Sequence, residues 1–256
     1  MRRSNFRKTI ITLCCAAGLV SAPALAETGT SDRWNSSGTI YLWGSGIQGD
    51  LRNGGDIDIS FGDILDDLAF AFMGTLVTRK DKWGFAGDFI YLNAKIDNSA
   101  NIPLSAVPGA TVDLKAKSDI TSWVINLLAG YNMISTEQAT LDAIFGARYL
   151  SLDSDLTLKA NSLSGRTLSD SQAVWDGVIG VRGELNLNKK WYLPYYADIG
   201  TGQSDNTWQL MGGVGYRYNW GELKLVYRHI EWDLGSGGLI ETMSISGPAF
   251  GATWHF

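Results

Sequence analysis

From residue 68 to its end the chain repeats one pattern, in which apolar residues take every second position and polar or small residues fill the alternate ones. Alternation of that kind places successive side chains on opposite faces of an extended strand. In "LAFAFMGTLVTRK" (68–80) Phe70, Phe72 and Leu76 share one face, and Met73, Thr75 and Arg79 share the other. In "WGFAGDFIYLN" (83–93) Phe85, Phe89 and Tyr91 oppose Asp88. Trp123, Ile125, Leu127 and Tyr131 then oppose Asn126 and Asn132, while Leu141, Ala143, Phe145 and Tyr149 oppose Asp142 and Arg148. Ile179, Val181 and Leu185 stand against Asp176, Arg182 and Glu184, and Leu193, Tyr195 and Ile199 against Asp198. Trp208, Leu210, Val214, Tyr216 and Tyr218 oppose Gln209 and Arg217; Leu223, Leu225 and Tyr227 oppose Glu222, Lys224 and Arg228. The last segment carries Phe250, Ala252, Trp254 and Phe256 on one face.

An opening strand around "GTIYLWGSG" (38–46), whose two faces are both apolar, brings the number to ten. The connections at 80–82, 134–138, 188–190 and 219–221 are short, and those near 48–67, 94–117, 153–173, 201–206 and 233–240 are longer. An even strand number with alternating short and long connections predicts an all-β fold, a transmembrane antiparallel up-and-down β-barrel of about ten strands, with eight or twelve as alternatives. Both termini then lie on the periplasmic, short-turn side. "DIDIS" (56–60) alternates like a strand, but alone it would make the count odd, so it belongs to the first long loop or extends a hairpin above the membrane. It leads into "FGDILDDL", where Phe61, Ile64, Leu65 and Leu68 fall at helical spacing behind a Ser60 cap and predict a short amphipathic helix in that loop. A soluble β-sandwich, the competing all-β reading, conflicts with the even count and with aromatics at the strand ends.

The first 26 residues change the compartment. "MRRSNFRK" is basic, "TIITLCCAAGLV" is a short apolar run, and "SAPALA" ends in small residues, which together read as a secretory leader cleaved after Ala26. The run falls short of the roughly 20 residues a spanning helix needs. Domain organisation is then a leader at 1–26 and one barrel domain at 27–256. The leader carries both cysteines, Cys14 and Cys15, so the mature chain can form no disulfide. Of 21 Lys and Arg the leader also takes four, leaving 17 against 26 Asp and Glu, a net charge of −9. An acidic surface argues against nucleic acid as a partner. Ten Trp, ten Tyr and 30 Gly suit a barrel, which needs aromatic girdles at both water interfaces and tight turns.

The stretches "VIGVRGELNLNKKWYL" and "YYADIGTGQSDNTWQLMGGVGYRYNWGELKLVYRHIEWDLG", with "GPAFGATWHF" after them and "SFGDILDDLAFAFMG" before, resemble the small Gram-negative outer-membrane barrels grouped as porin-family or OmpA-like proteins. The likeness covers most of the mature chain, and its motifs are architectural. It implies an outer-membrane location, contact with outer-membrane lipid and lipopolysaccharide, and insertion by the barrel assembly machinery, for which Phe256, with Trp254, serves as the signal. It implies no catalytic residue and no cofactor.

Twelve charged residues fall on the face opposite the apolar one: Arg79, Arg148, Arg182, Arg217, Lys224 and Arg228 against Asp88, Asp142, Asp176, Glu184, Asp198 and Glu222. An Arg or Lys on the lipid face near the midplane would cost about 2–4 kcal/mol, so their common parity points them into the lumen. They line either a filled interior or a narrow water path for small solutes; a barrel near eight strands is just wide enough for side chains, which favours the filled interior. A lipid hydrolase or acyltransferase would need a nucleophile beside a base, and His229 with Glu231 shares a strand face, but no serine lies at the second position after His229 and Ser236 falls in the following loop. His229 and His255, the only two histidines, read as interfacial or lumen residues, and no paired His or Cys pattern offers a metal site. The Ser-rich loops "KIDNSANIPLSAVPGATVDLKAKSD" and "DSDLTLKANSLSGRTLSDSQ" leave adhesion or another binding role open.

Overall fold

The computed structural model of the chain describes residues 33–51, 55–62, 68–103, 111–160, 166–235 and 240–256. The leader and its cleavage point lie outside them. The strands are β1 (Asn35–Trp43), β2 (Gly46–Leu51), β3 (Gly55–Ile59), β4 (Leu68–Lys80), β5 (Trp83–Pro103), β6 (Thr111–Ser135), β7 (Ala139–Ala160), β8 (Arg166–Asn186), β9 (Trp191–Gly202), β10 (Asn206–Arg217), β11 (Glu222–Asp233) and β12 (Ile240–His255). From β4 to β12 each strand pairs antiparallel with the next, and β1 pairs with both β4 and β12. The sheet therefore closes on itself, which removes the free edges that lipid cannot satisfy.

β1 and β2 hold one unbroken register along β12, from Ser37 opposite His255 through Trp43 opposite Ala249 to Ile47 opposite Ile245. The Gly44 N–H donates to the Pro248 carbonyl across the join at 2.8 Å. The two are one wall strand, so the barrel has ten. β3, which contains "DIDIS", pairs with β2 alone among the described residues and extends that hairpin outside the ring. Phe61 and Gly62 are helical, residues 63–67 of the expected helix lie outside the described residues, and Leu68 opens β4 instead of ending that helix.

Two of the expected long loops are corrected by the pairing. β5 and β6 stay in register from Trp83 opposite Tyr131 to Pro103 opposite Thr111, and β7 and β8 from Ala139 opposite Leu185 to Leu158 opposite Arg166. Most of 94–117 and 153–173 thus belongs to long hairpin arms. The backbone groups of these arms are paired by the antiparallel ladder.

Outside, the wall is apolar and bare: Ile40, Leu76, Phe145, Ile179, Ile199, Leu210 and Phe250 are all at least half exposed. Contiguous exposed apolar surface of this extent needs a non-aqueous neighbour. Two aromatic belts bound it. At the long-loop end Tyr91 packs on Trp123 (4.6 Å between ring centres) and Tyr149 on Trp175 (4.7 Å); at the short-turn end Trp83 meets Tyr131 (5.2 Å), Trp191 meets Tyr216 (4.8 Å) and Trp220 meets Trp254 (5.9 Å). No helix among the described residues is long and apolar enough to cross a membrane. The termini of the barrel meet at the turn end, where Ser36 and Phe256 exchange backbone hydrogen bonds of 3.1 and 2.9 Å.

Candidate functional site

Because side chains alternate along every strand, the lumen is filled in layers. Nearest the loop end the layer is apolar: Trp43, Met73, Ile90, Val124, Leu150, Val174, Ile230, Trp232, Met243 and Ile245 form one buried cluster. Trp232 and Ile230 have no exposed surface.

Below it lies a charged layer. Arg148 has a fully buried side chain and donates through Nε to Asn126 Oδ1 (2.8 Å), through Nη1 to Thr207 Oγ1 (2.9 Å), and through Nη2 to Asp198 Oδ2 (2.5 Å) and Gln209 Oε1 (3.2 Å). Its guanidinium also lies 5.9 Å from the Trp232 ring centre, tying this layer to the apolar one. Asp198 accepts a second hydrogen bond from Tyr196 Oη. Beside it Arg228 donates to Asp88 Oδ2 (2.7 Å), Tyr41 Oη (3.0 Å) and Gln209 Oε1 (3.1 Å), with Trp43 stacked 5.1 Å away. Asp88 is further held by Tyr41 Oη (2.7 Å), Thr75 Oγ1 (2.9 Å) and Asn126 Nδ2 (3.3 Å). Gln209 and Asn126 link the two ion pairs, so one hydrogen-bonded sheet of side chains spans the lumen. Charge-assisted bonds of this kind are short and strong, and here they hold charges that a dry interior would otherwise reject, with only Asp198 Oδ1 and Arg228 Nε of the two pairs left without a partner.

A third group sits at the turn end. Asp142 takes two guanidinium groups, Arg79 (2.6 Å) and Arg182 (3.2 Å), together with Asn132 Nδ2 (2.9 Å). Next to it, where Glu184 follows Arg182 by two residues along β8, Arg217 pairs with Glu184 and lies 3.7 Å from Glu222, which also meets Lys224 (3.4 Å), His255 (3.2 Å) and Tyr192 Oη (2.5 Å). Tyr192 reaches Glu222 by lying flat on Gly215, where an added Cβ would fall 2.2 Å from its ring.

Between the second and third layers is a cavity of about 520 Å³. The Asp88 and Arg228 pair closes its roof, and its floor opens past Arg79 and His255, which are 43% and 57% exposed. Val77, Leu128, Met211 and Val226 give it an apolar wall, with the rings of Tyr41 and Tyr196 above.

Eleven of the twelve charged residues expected in the lumen enter these ion pairs. Asp176 does not. It is the strand neighbour of Arg148, yet one of its oxygens accepts from the Ser204 backbone N–H at 2.9 Å. Sequence reasoning missed the uncharged members, Tyr41, Asn126, Thr207, Gln209 and Tyr196, which bind the layer together. Alternation already puts Asn126 and Gln209 on the polar face and could put Thr207 and Tyr196 there, though not Tyr41, but hydroxyl and amide groups also occur on many exposed strand faces.

His229 is on the outer face at the loop-end belt, its ring 4.5 Å from Trp208 and its Nε2 3.4 Å from Glu231. The β11–β12 register puts Ser246 directly opposite it, a neighbour invisible to spacing along one strand. No hydrogen bond joins Ser246 to His229 among the described residues. No group of His, Cys, Asp and Glu able to hold a metal ion occurs among them either.

No protein-family model and no curated protein matches the chain. Solved structures do. The translocator domain of the autotransporter NalP from Neisseria meningitidis matches at 17% identity and a TM-score of 0.47, covering 91% of each chain. The outer membrane protease OmpT from Escherichia coli matches at 8% identity and 0.46, over 88% of this chain and 97% of that one. Ail, the attachment invasion locus protein of Yersinia pestis, matches at 9% identity and 0.37, over 87% and 98%. The architecture, a closed ten-stranded antiparallel β-barrel, rests on the chain's own strand pairing. At identities of 8–17% these likenesses pass nothing about activity to this chain.

Proposed function

We propose that this protein is an integral outer-membrane barrel that seals its own lumen: an envelope-structural, non-enzymatic protein whose turn-end lumenal cavity faces the periplasm. The observation that carries this reading is Arg148, which has no exposed side-chain surface at mid-barrel and bonds to β6, β9 and β10 at once. A water-filled path would have to pass that residue and then the Trp232 cluster. Wide aqueous channels belong to barrels with many more strands.

In this reading the long hairpins face outward and the short turns inward, as in single-chain bacterial barrels. The N-terminal leader directs export, the lipid belt meets outer-membrane lipid and lipopolysaccharide, and Phe256 with Trp254 marks the chain for the barrel assembly machinery. A role for the outer hairpins in surface binding remains compatible with a sealed lumen. Liposome swelling in a small sugar such as arabinose tests the reading: vesicles holding the protein should swell no faster than empty ones, and faster swelling would overturn it.

A further inference from the structure

We infer that the periplasmic cavity binds a small anionic amphiphile, its carboxylate or phosphate-monoester head against Arg79 and Arg182 and its apolar body against the wall above. The charges of the mouth are unevenly shared. On one side two guanidinium groups, Arg79 and Arg182, meet a single carboxylate, Asp142, and keep one uncompensated positive charge. In the neighbouring group Arg217 and Lys224 are matched by Glu184 and Glu222. At the roof Arg228 is neutralised one to one by Asp88. Net positive charge therefore sits at one place on the cavity rim.

That place also has a donor to spare. Arg182 is 13% exposed, and its Nη2 is buried without a hydrogen-bond partner. A buried guanidinium N–H left unmade is costly, and an oxyanion at the cavity floor would relieve it once Arg182 turns this nitrogen away from the wall. The inner faces of Gly84 and Gly130 leave this nitrogen its room, since a Cβ at either would lie only 3.2 or 3.4 Å from it. Arg79, 43% exposed, stands beside it at the open floor and can turn to the same head group.

The rest of the cavity suits an apolar body. Its wall is formed by Val77, Leu128, Met211 and Val226, and its volume of about 520 Å³ lies within the range of small-molecule pockets. A cationic amphiphile of the same length would meet the same wall but the wrong charge.

The inference rests on the roof being closed, as proposed above, and the experiment separates the two. Protein in zwitterionic nanodiscs is titrated calorimetrically with decanoate, decyl phosphate and decyltrimethylammonium, and partition into empty nanodiscs is subtracted. Saturable one-to-one binding of at least one anion is expected and none of the cation; the tighter anion identifies the head group. Arg182→Gln should weaken binding roughly tenfold or more, and Val77→Trp, which fills the cavity and removes none of the rim charges, should abolish it. Folding of each variant is checked by heat-modifiable gel migration, and if Arg182→Gln does not fold, Val77→Trp decides. Absence of saturable anion binding, equal binding of the cation, or native affinity in either folded variant overturns the inference. The swelling assay on the same preparation reports leakage through the roof whether or not an anion binds.

Discussion

Arg148 and Asp198 lie 2.5 Å apart at mid-barrel, and neither side chain has any exposed surface. A buried pair so placed can be replaced as a unit at small cost, but removal of one partner strands the other charge. Arg148→Met should destabilise the barrel by about 3–5 kcal/mol, and so should Asp198→Leu, whereas the double variant should lose clearly less than the sum. Urea unfolding in lipid vesicles, followed by tryptophan fluorescence, reads the three values. Additive losses would mean that the pair does not act as a pair.

The outer wall makes an opposite demand. Phe145 is half exposed on the lipid face, whereas its strand neighbour Arg148 is enclosed. Phe145→Arg should cost about 2–4 kcal/mol in the same assay. A neutral effect would contradict the membrane face assigned to that parity.

Much of this was legible in the sequence, and the failures have physical causes. Period-2 alternation gave the strands from Phe70 to Phe256, because each wall residue faces either lipid or lumen and the two solvents select different side chains. It could not orient β1, where Tyr41 and Trp43 point inward to a lumen that is itself apolar at that level, so both faces look alike. The arms of β5 and β6 look like loop because Asn, Ser, Pro and Gly residues break up the alternation of Ile96, Ile102, Val112 and Leu114 with polar neighbours. Local register puts Asp176 opposite Arg148, yet the arginine crosses to Asp198 two strands away, a choice fixed only once the ring has closed.

At the turn end Tyr192 depends on the missing side chain of Gly215. Gly215→Val should displace the ring, break the Tyr192 to Glu222 hydrogen bond, and cost about 1–3 kcal/mol as an overpacked site. Tyr192→Phe, which removes the same hydrogen bond without crowding, should cost less. Equal losses would place the whole effect in the hydrogen bond.

The seam between β1 and β12 ends in the paired backbone groups of Ser36 and Phe256. Deletion of Phe256 removes that last rung together with the outward ring proposed as an insertion signal. The amount of heat-modifiable protein recovered from outer membranes should fall severalfold, and Phe256→Tyr should restore most of it. Full recovery of the deletion variant would show that this residue matters to neither step.

His229 stacks on Trp208 as an interface residue. His229→Ala should leave the acyl composition of phospholipid and lipid A unchanged in cells that express it, measured by mass spectrometry against the native chain. A difference in acyl pattern would move the protein into the enzyme class and bring Ser246 forward as the nucleophile to test.

The central claim is that Arg148, its partners and the Trp232 cluster close the lumen. Single-channel recording in planar bilayers reads this most directly. With the purified native protein inserted, the account predicts a flat current across the full voltage range in both polarities; reproducible discrete conductance steps would contradict it.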